Sequence, residues 1–274
     1  MKKLGFLGCG QMGKAILSGL LREATVKPEQ VLVAAKSSAE QTASTFGVRA
    51  LSPVDLLLEA DEIFLGIKPY QLHLIEDWMK DLRVQKKLSE SKPVVMSMLA
   101  GSSFAQLQQV FTDTVTLVRI MPNLPAQVGS GLTLICIDPQ LETAHANLLK
   151  ERCQQLLKPL GHIETLRKES EFHAATAISG CGPAYLFNVI EALADAGVHE
   201  GLPRAMSLRL AAHTVLGSGH LASLEHPAIL KDRVTSPAGV TIAGVRVLEQ
   251  HRVRSAFFEA VIAASERSKA MENK

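Results

Sequence analysis

Near the start of the chain, Gly8-Cys9-Gly10-Gln11-Met12-Gly13 places three glycines at the spacing glycine-x-glycine-x-x-glycine. The motif follows a short apolar run, Leu4–Leu7, and leads into a segment of helical character, Met12–Leu21. Residues in this pattern hold a ligand; they do not break bonds. Gly8 permits the tight turn out of a strand, Gly10 lets a pyrophosphate approach the main chain, and Gly13 lets helix and strand pack closely. The helix start at Gln11 and Met12 then offers unpaired N–H groups and the positive end of the helix dipole to phosphate. The spacing predicts a dinucleotide site, the other reading being a glycine turn used only for packing.

The end of the next apolar run, Val31-Leu32-Val33, chooses between dinucleotides. A carboxylate that would bind a ribose 2′-hydroxyl is expected there in an NAD site, yet the chain reads Ala34-Ala35-Lys36-Ser37-Ser38. Without that carboxylate nothing repels a 2′-phosphate, and Lys36 with Ser37 or Ser38 can bind it. NADPH is therefore the expected cofactor, with NADH as the second candidate; the plainer reading leaves Lys36 as a solvated loop residue. Hydride transfer needs no further apparatus, because the nicotinamide carries the chemistry. No HExxH, Walker or paired CxxC zinc spacing occurs, so no metal is expected. The nine histidines are scattered, and His173 and His213 read as surface or core residues.

Six apolar runs set out the elements that must position this site. Besides the two already named they are Ile63–Ile67, Val94–Met96, Val115–Val118 and Leu132–Ile137, with helical stretches such as Ala39–Phe46 between. Continuous apolar strands alternating with helices predict an α/β fold, a Rossmann-like doubly wound parallel sheet that binds ligands at the carboxyl ends of its strands. After about residue 165 strand-like runs give way to helices. From Leu208, the positions Ala211, Ala212, Val215 and Leu216 share one helix face, and Phe257, Ala260, Val261 and Ala264 repeat the spacing. Small residues on these faces permit close helix approach. The expected division is a dinucleotide-binding domain over 1–165 and an all-helical domain over 166–274, joined without a flexible linker. The helical part can hide its own core or pack on a second copy.

Composition narrows the partners. A chain of 274 residues with 29 Lys+Arg against 27 Asp+Glu has a formal charge of +2 and no basic cluster, which argues against nucleic acid. Aromatic residues at 4% leave no base-stacking platform. Cys9, Cys136, Cys153 and Cys181 form no CxxC pair and read as free thiols of a reducing cytosol. The apolar stretch after Met1-Lys2-Lys3 is too short for a signal peptide and is broken by glycines. No membrane-spanning run is expected, so the expectation is a cytoplasmic protein.

Further motifs carry a resemblance. Gly66-Ile67-Lys68-Pro69 and Arg119-Ile120-Met121-Pro122-Asn123-Leu124-Pro125 follow two of the strands. Ser179–Tyr185, Glu191–Gly197 and, most specifically, Val234-Thr235-Ser236-Pro237-Ala238-Gly239-Val240-Thr241-Ile242-Ala243-Gly244 complete the set. With the glycine motif, and in this order, they make the chain similar to pyrroline-5-carboxylate reductases nearly from end to end. The resemblance implies an oxidoreductase that reduces L-1-pyrroline-5-carboxylate, a cyclic imine, to L-proline in the last step of proline biosynthesis. It also implies a dimerisation role for the helical domain, which in that family makes an intertwined homodimer, with five dimers often forming a decamer.

Carried over, Ser236, Gly239 and Thr241 hold the substrate carboxylate and approach the ring nitrogen, on a loop supplied by the partner subunit. Thr241 is the one residue given a catalytic role, as a hydrogen-bonding positioning group; no dedicated general acid stands out. Lys68, Pro69, Ala100 and Asn123, with Met121-Pro122 and Gly101, line the nicotinamide end. Asn123, set between two prolines, reads as a ligand contact or as a turn residue. Two positions depart from the family pattern. Cys181 stands where serine is usual, and Ala238 where a second glycine is usual; Ala238 is expected to hold φ negative at little steric cost. Competing readings are a β-hydroxyacid dehydrogenase, which would use a helical-domain lysine where this chain has only Lys231 isolated beside Asp232 and none in Ser179–Asn188, and a dinucleotide-sensing or lipid-surface regulatory protein without turnover.

Overall fold

The apolar runs of the first half become strands because both of their faces are covered, which suits continuous Val, Ile, Leu and Phe. A computed structural model describes residues 2–272. Its strands are β1 (Leu4–Leu7), β2 (Val31–Ala34), β3 (Arg49–Ala50), β4 (Glu62–Leu65), β5 (Val94–Ser97), β6 (Thr116–Met121), β7 (Gly131–Ile137) and β8 (Gly161–Thr165). They form one sheet in the order β3-β2-β1-β4-β5-β6-β7-β8. From β3 to β6 all neighbours are parallel. The first six strands thus have the Rossmann order, with its reversal between β1 and β4.

The expected doubly wound sheet is present, but it is not parallel throughout. β7 pairs antiparallel with β6, and β8 lies parallel to β7. The cause is length: residues 122–130 are fewer than the dozen or so that a parallel crossover needs. Two strands were not expected. β3 is a two-residue edge, and β8, Gly-His-Ile-Glu-Thr, lacks an apolar run because it is only half-buried.

Alternating side chains of the strands feed two cores. Phe6, Val31, Val33, Phe64 and Val118 pack on one face against Ile16, Leu17 and Leu20 of the helix Gln11–Arg22 and Leu149, Leu156 and Leu157 of the helix Thr143–Leu157. Leu7, Leu32, Ile63, Leu65 and Val95 pack on the other against the helices Pro53–Glu59, His73–Met79, Leu82–Ser91 and Phe104–Phe111. Burial of each large apolar side chain contributes about 1.5–3 kcal/mol. The site at the strand ends therefore sits on a rigid frame.

The chain divides into two units. One comprises residues up to Gly180 with those from Ala264 onward; the other is Cys181–Ala263. These compact units do not coincide with the expected division near 165, for two packing reasons. Phe172, in the helix Phe172–Ser179, is 3% exposed within the second core, and the Arg119 guanidinium lies 4.2 Å from its ring centre. The end of the helix Val253–Glu272 also returns to the sheet unit, where the Gln106 amide donates to the Glu272 carbonyl at 2.9 Å.

The Cys181–Ala263 unit consists of the helices Gly182–His199, Arg204–Ala222, Pro227–Arg233 and Val240–Gln250 and the first part of Val253–Glu272. Small residues bring two of these helices together, since a Cβ on Gly197 would lie 2.8 Å from Ser207 Oγ. Within this unit only Ala194, Ser207 and Ala211 are buried. The expected helix faces form, yet Leu216 is 64% and Phe257 38% exposed. The stretch Glu169–His199 is also apolar and long enough, by composition, to cross a membrane, against the expectation of no such run. Gly180 and Cys181 break it into two helices, and the first has Phe172 and Ala177 buried beside the sheet.

Candidate cofactor and substrate site

Each of the three glycines meets a different constraint. Gly8 has φ +86°, and a Cβ there would lie 2.6 Å from the main chain of Gly66 and Ile67. Gly10 has nothing within 4 Å of its Cβ position, so that space is open to a ligand. A Cβ on Gly13 would press on Cys9 Sγ at 3.3 Å and Gly8 O at 3.4 Å, which is the helix–strand contact. The helix begins at Gln11 with Gly10 as its cap and no side chain bonded to its first N–H groups. Those of Gln11, Met12 and Gly13 are left for a ligand. Cys9 is buried, and burial pushes its thiol up to about 11, so it stays neutral and serves as packing.

The parallel ladder continues past the strand ends: Gly8 N–H donates to Ala34 O at 2.7 Å and Gly66 N–H to Leu7 O at 2.8 Å. Beyond them opens a cleft of about 1090 Å³. Gly8, Gly10, Lys36, Ser37 and Lys68 of the expected cofactor residues line it, and so does Ser38. Lys36 is exposed and forms no ion pair among the described residues. Sequence reasoning missed Ser52, Gln71 and Trp78 in this lining. Ser52 caps the helix Pro53–Glu59, its hydroxyl accepting from Asp55 N–H at 3.1 Å and donating to the Asp55 carboxylate at 2.6 Å. A Ser-Pro pair before an apolar run was the signal available for that loop. The Gln71 side chain accepts from Lys68 N–H at 3.0 Å and so shapes the turn after β4.

Gln11, Met12, Gly13, Pro69, Ala100 and Asn123 do not line this cleft. Pro69 opens the short turn Pro69–Gln71, and Ala100 is exposed in the turn after β5. Asn123 follows β6 and is 8% exposed. Its Nδ2 donates to Ser179 O at 3.0 Å and its Oδ1 accepts from Leu132 N–H at 2.9 Å. Asn123, expected as a ligand contact or a turn residue, braces the end of β6 to β7 and to the helix Phe172–Ser179. Ser179 lies far off along the chain, which is why sequence spacing did not disclose that bond.

In the helical unit, Ser236-Pro237-Ala238-Gly239 forms a turn closed by Gly239 N–H donating to Ser236 O at 3.1 Å. Gly239 caps the helix Val240–Gln250, placing Thr241 in its first turn. Neither the Ser236 nor the Thr241 hydroxyl has a hydrogen-bond partner among the described residues. A Cβ on Gly239 would sit 2.2 Å from Ser236 Oγ, so a side chain there would force the serine hydroxyl to turn away. Ala238 has φ +56°, contrary to the expected negative value. Of the two turns that accept proline second, this sign of φ at the third residue belongs to type II, a conformation glycine adopts freely and alanine at a cost of about 1 kcal/mol. Cys181 caps the helix Gly182–His199 without a side-chain hydrogen bond.

A family model for pyrroline-5-carboxylate reductase dimerisation matches residues 169–271, and one for F420-dependent NADP oxidoreductases matches 3–101. The chain is 39% identical to the pyrroline-5-carboxylate reductase of Synechocystis over 99% of both chains. It is 36% identical to that of Escherichia coli over 97% of both. The chain belongs to the pyrroline-5-carboxylate reductase family. The structure of the Plasmodium falciparum pyrroline carboxylate reductase with NADP bound matches with a TM-score of 0.85 at 31% identity, covering 99% of this chain and 98% of that one. The Coxiella burnetii reductase structure gives 0.84 at 28% identity, with 98% of both covered. As a pyrroline-5-carboxylate reductase family member the chain is an oxidoreductase, and its dimerisation region makes it a homo-oligomer. The apolar helix faces left open in Cys181–Ala263 lie inside that region, and the hydroxyacid dehydrogenase alternative is the less supported of the two.

Proposed function

We propose that the protein reduces L-1-pyrroline-5-carboxylate to L-proline, taking hydride from NADPH in preference to NADH. When bound, the reduced nicotinamide supplies the hydride that adds to C5 of the imine. The observation that carries the reading is the glycine cradle: Gly8 held by the β4 end, Gly10 open, and the first N–H groups of a helix unpaired beside a large cleft. It suits a pyrophosphate, and Gln11, Met12 and Gly13 would hold it through their main chain.

Lys36, Ser37 and Ser38 support the preference for a 2′-phosphate, since the carboxylate that would repel it is missing at the end of β2. Lys68, Pro69 and the Ala100 turn belong on the nicotinamide side, beyond the ends of β4 and β5. Asn123 serves that side by bracing the β6 end. Substrate falls to Ser236, Gly239 and Thr241. Free N–H groups at the start of Val240–Gln250 suit a small carboxylate, and the unpaired hydroxyls of Ser236 and Thr241 suit the carboxylate and ring nitrogen. The nitrogen enters protonated, as the iminium, so hydride addition to C5 yields the neutral amine of proline, which solvent protonates. Thr241 orients that nitrogen; orientation is the main contribution such a site makes.

The homodimer is the proposed unit, with the loop of one protomer serving the cleft of its partner. The four free cysteines fit a reducing compartment, and we place the protein in the cytoplasm. The test is the loss of reduced-nicotinamide absorbance on adding pyrroline-5-carboxylate to purified protein. Turnover faster with NADPH is expected. Turnover faster with NADH would discard the phosphate role of Lys36, and binding without turnover would discard the reaction.

A further inference from the structure

We propose that His173 is a positioning residue for the turn after β5, residues 100–103, and acts on it through the last turn of the C-terminal helix. The proposal rests on the reading above that this turn borders the nicotinamide.

His173 lies one residue into the helix Phe172–Ser179, and its side chain is 14% exposed. Its Nδ1 is 2.9 Å from Ser268 Oγ and its Nε2 2.9 Å from Glu272 Oε2. With the proton on Nε2, facing the carboxylate, Nδ1 accepts from the serine hydroxyl. The second contact is short but bent away from hydrogen-bond geometry, so the neutral ring meets the carboxylate through the dipole of its Nε2–H. Two rungs of the terminal helix, four residues apart, are thereby pinned by one imidazole.

The pinned helix end is itself seated on the turn. The Glu272 carbonyl accepts from Gln106 Nε2 at 2.9 Å. Gln106 Oε1 in turn accepts from Ser103 N–H at 3.0 Å, and Ser103 Oγ accepts from Gln106 N–H at 3.3 Å. Gly101, with φ +70°, lies so close to the helix that a Cβ on it would be 2.8 Å from Met271 Cβ. A second anchor holds the same segment from below: Glu169 Oε1 accepts from Phe104 N–H at 2.6 Å and from the buried Arg119 at 2.6 Å. The turn is thus gripped from both sides, by the helix end that His173 pins and by Glu169.

Amide hydrogen exchange on the whole protein, with steady-state kinetics, tests this. His173→Ala and Gln106→Ala should each speed exchange over residues 100–106 and lower kcat roughly tenfold, the scale of a small misplacement. Affinity for adenosine 2′,5′-bisphosphate should stay within about twofold, because that fragment does not reach the turn. His173→Gln, which keeps a donor toward Glu272, should restore most of kcat. The double variant should lose no more than either single, as groups on one path do. Should His173→Ala fail to fold, Ser268→Ala removes one contact alone and should speed exchange over the same segment. Unchanged exchange there, or losses that multiply in the double variant, would overturn the proposal. A wild-type protein without turnover would count against the reaction, and the exchange data would still decide the clamp.

Discussion

Gly8 and Gly66 stand back to back where β1 and β4 diverge, so close that a Cβ on Gly66 would come within 2.5 Å of the Gly8 carbonyl oxygen. Neither is replaceable, and the reason is main chain against main chain, which cannot swing aside. Gly66→Ala should cost about 1–3 kcal/mol of stability, in the manner of an overpacked core, and NADPH affinity should fall with it. Gly10→Ala is the contrasting case. Nothing in the protein fills that space, so thermal unfolding should not move while NADPH binding weakens at least tenfold, by about 1.4 kcal/mol. Calorimetry and a fluorescence titration on both variants decide it; a Gly10→Ala protein with normal affinity would place the pyrophosphate elsewhere.

Lys36 should separate the two nicotinamide cofactors. A hydrogen bond to a charged group contributes about 1.5–3 kcal/mol. Lys36→Ala should therefore weaken NADPH roughly tenfold or more while NADH changes by less than about twofold. Equal losses for both would show that the residue screens the pyrophosphate instead.

Thr241→Ala should reduce kcat/KM for pyrroline-5-carboxylate by about tenfold to a hundredfold, or about 1.4–2.7 kcal/mol. NADPH affinity should hardly change, since the threonine lies in the first turn of Val240–Gln250 and not in the glycine cradle. Thr241→Ser, keeping the hydroxyl, should recover most of the rate. A loss of cofactor affinity would remove Thr241 from the substrate side.

The pH dependence of stability should carry the mark of Glu62, which is buried at the start of β4. Burial pushes its carboxyl up, but Arg152, bonded to both oxygens at 2.8 and 2.7 Å, and Lys2 at 3.2 Å outweigh it, and the net shift is downward from 4.5. A carboxyl depressed in the folded state stabilises fully above its unfolded value and ceases to do so as the pH falls through the folded value. Glu62→Gln should thus cost about 1–3 kcal/mol at neutral pH. The gap to wild type should close on acidification below that ordinary value. Thermal melts across pH for both proteins check it, and a gap that persists in acid would exclude the ion pair as its cause.

What could be read from the sequence was what contiguous residues impose. Three glycines, a run of four apolar residues before them and a helical period after them fix a cradle within a dozen positions, and Ala34–Ser38 describes its far end. Direction was not readable: the run Leu132–Ile137 announces a strand, but only the short connection before it makes β7 antiparallel. Relations across long separations were also hidden, among them Asn123 with Ser179 and Phe172 with Arg119, and the second of these draws Phe172 into the sheet unit. Ala238 shows a third kind of limit. Its preference for negative φ is a local tendency, and the turn that carries Thr241 overrides it.

The open apolar faces of Cys181–Ala263 make concentration a variable of this protein's stability. A segment that closes only Ala194, Ser207 and Ala211 into itself gains its burial when two chains meet, so its folding includes a second-order step. Dilution should lower the melting temperature, and refolding half-times should shorten as more chain is supplied. A variant that weakens this association would lose the helical half first and leave the glycine cradle folded on its sheet.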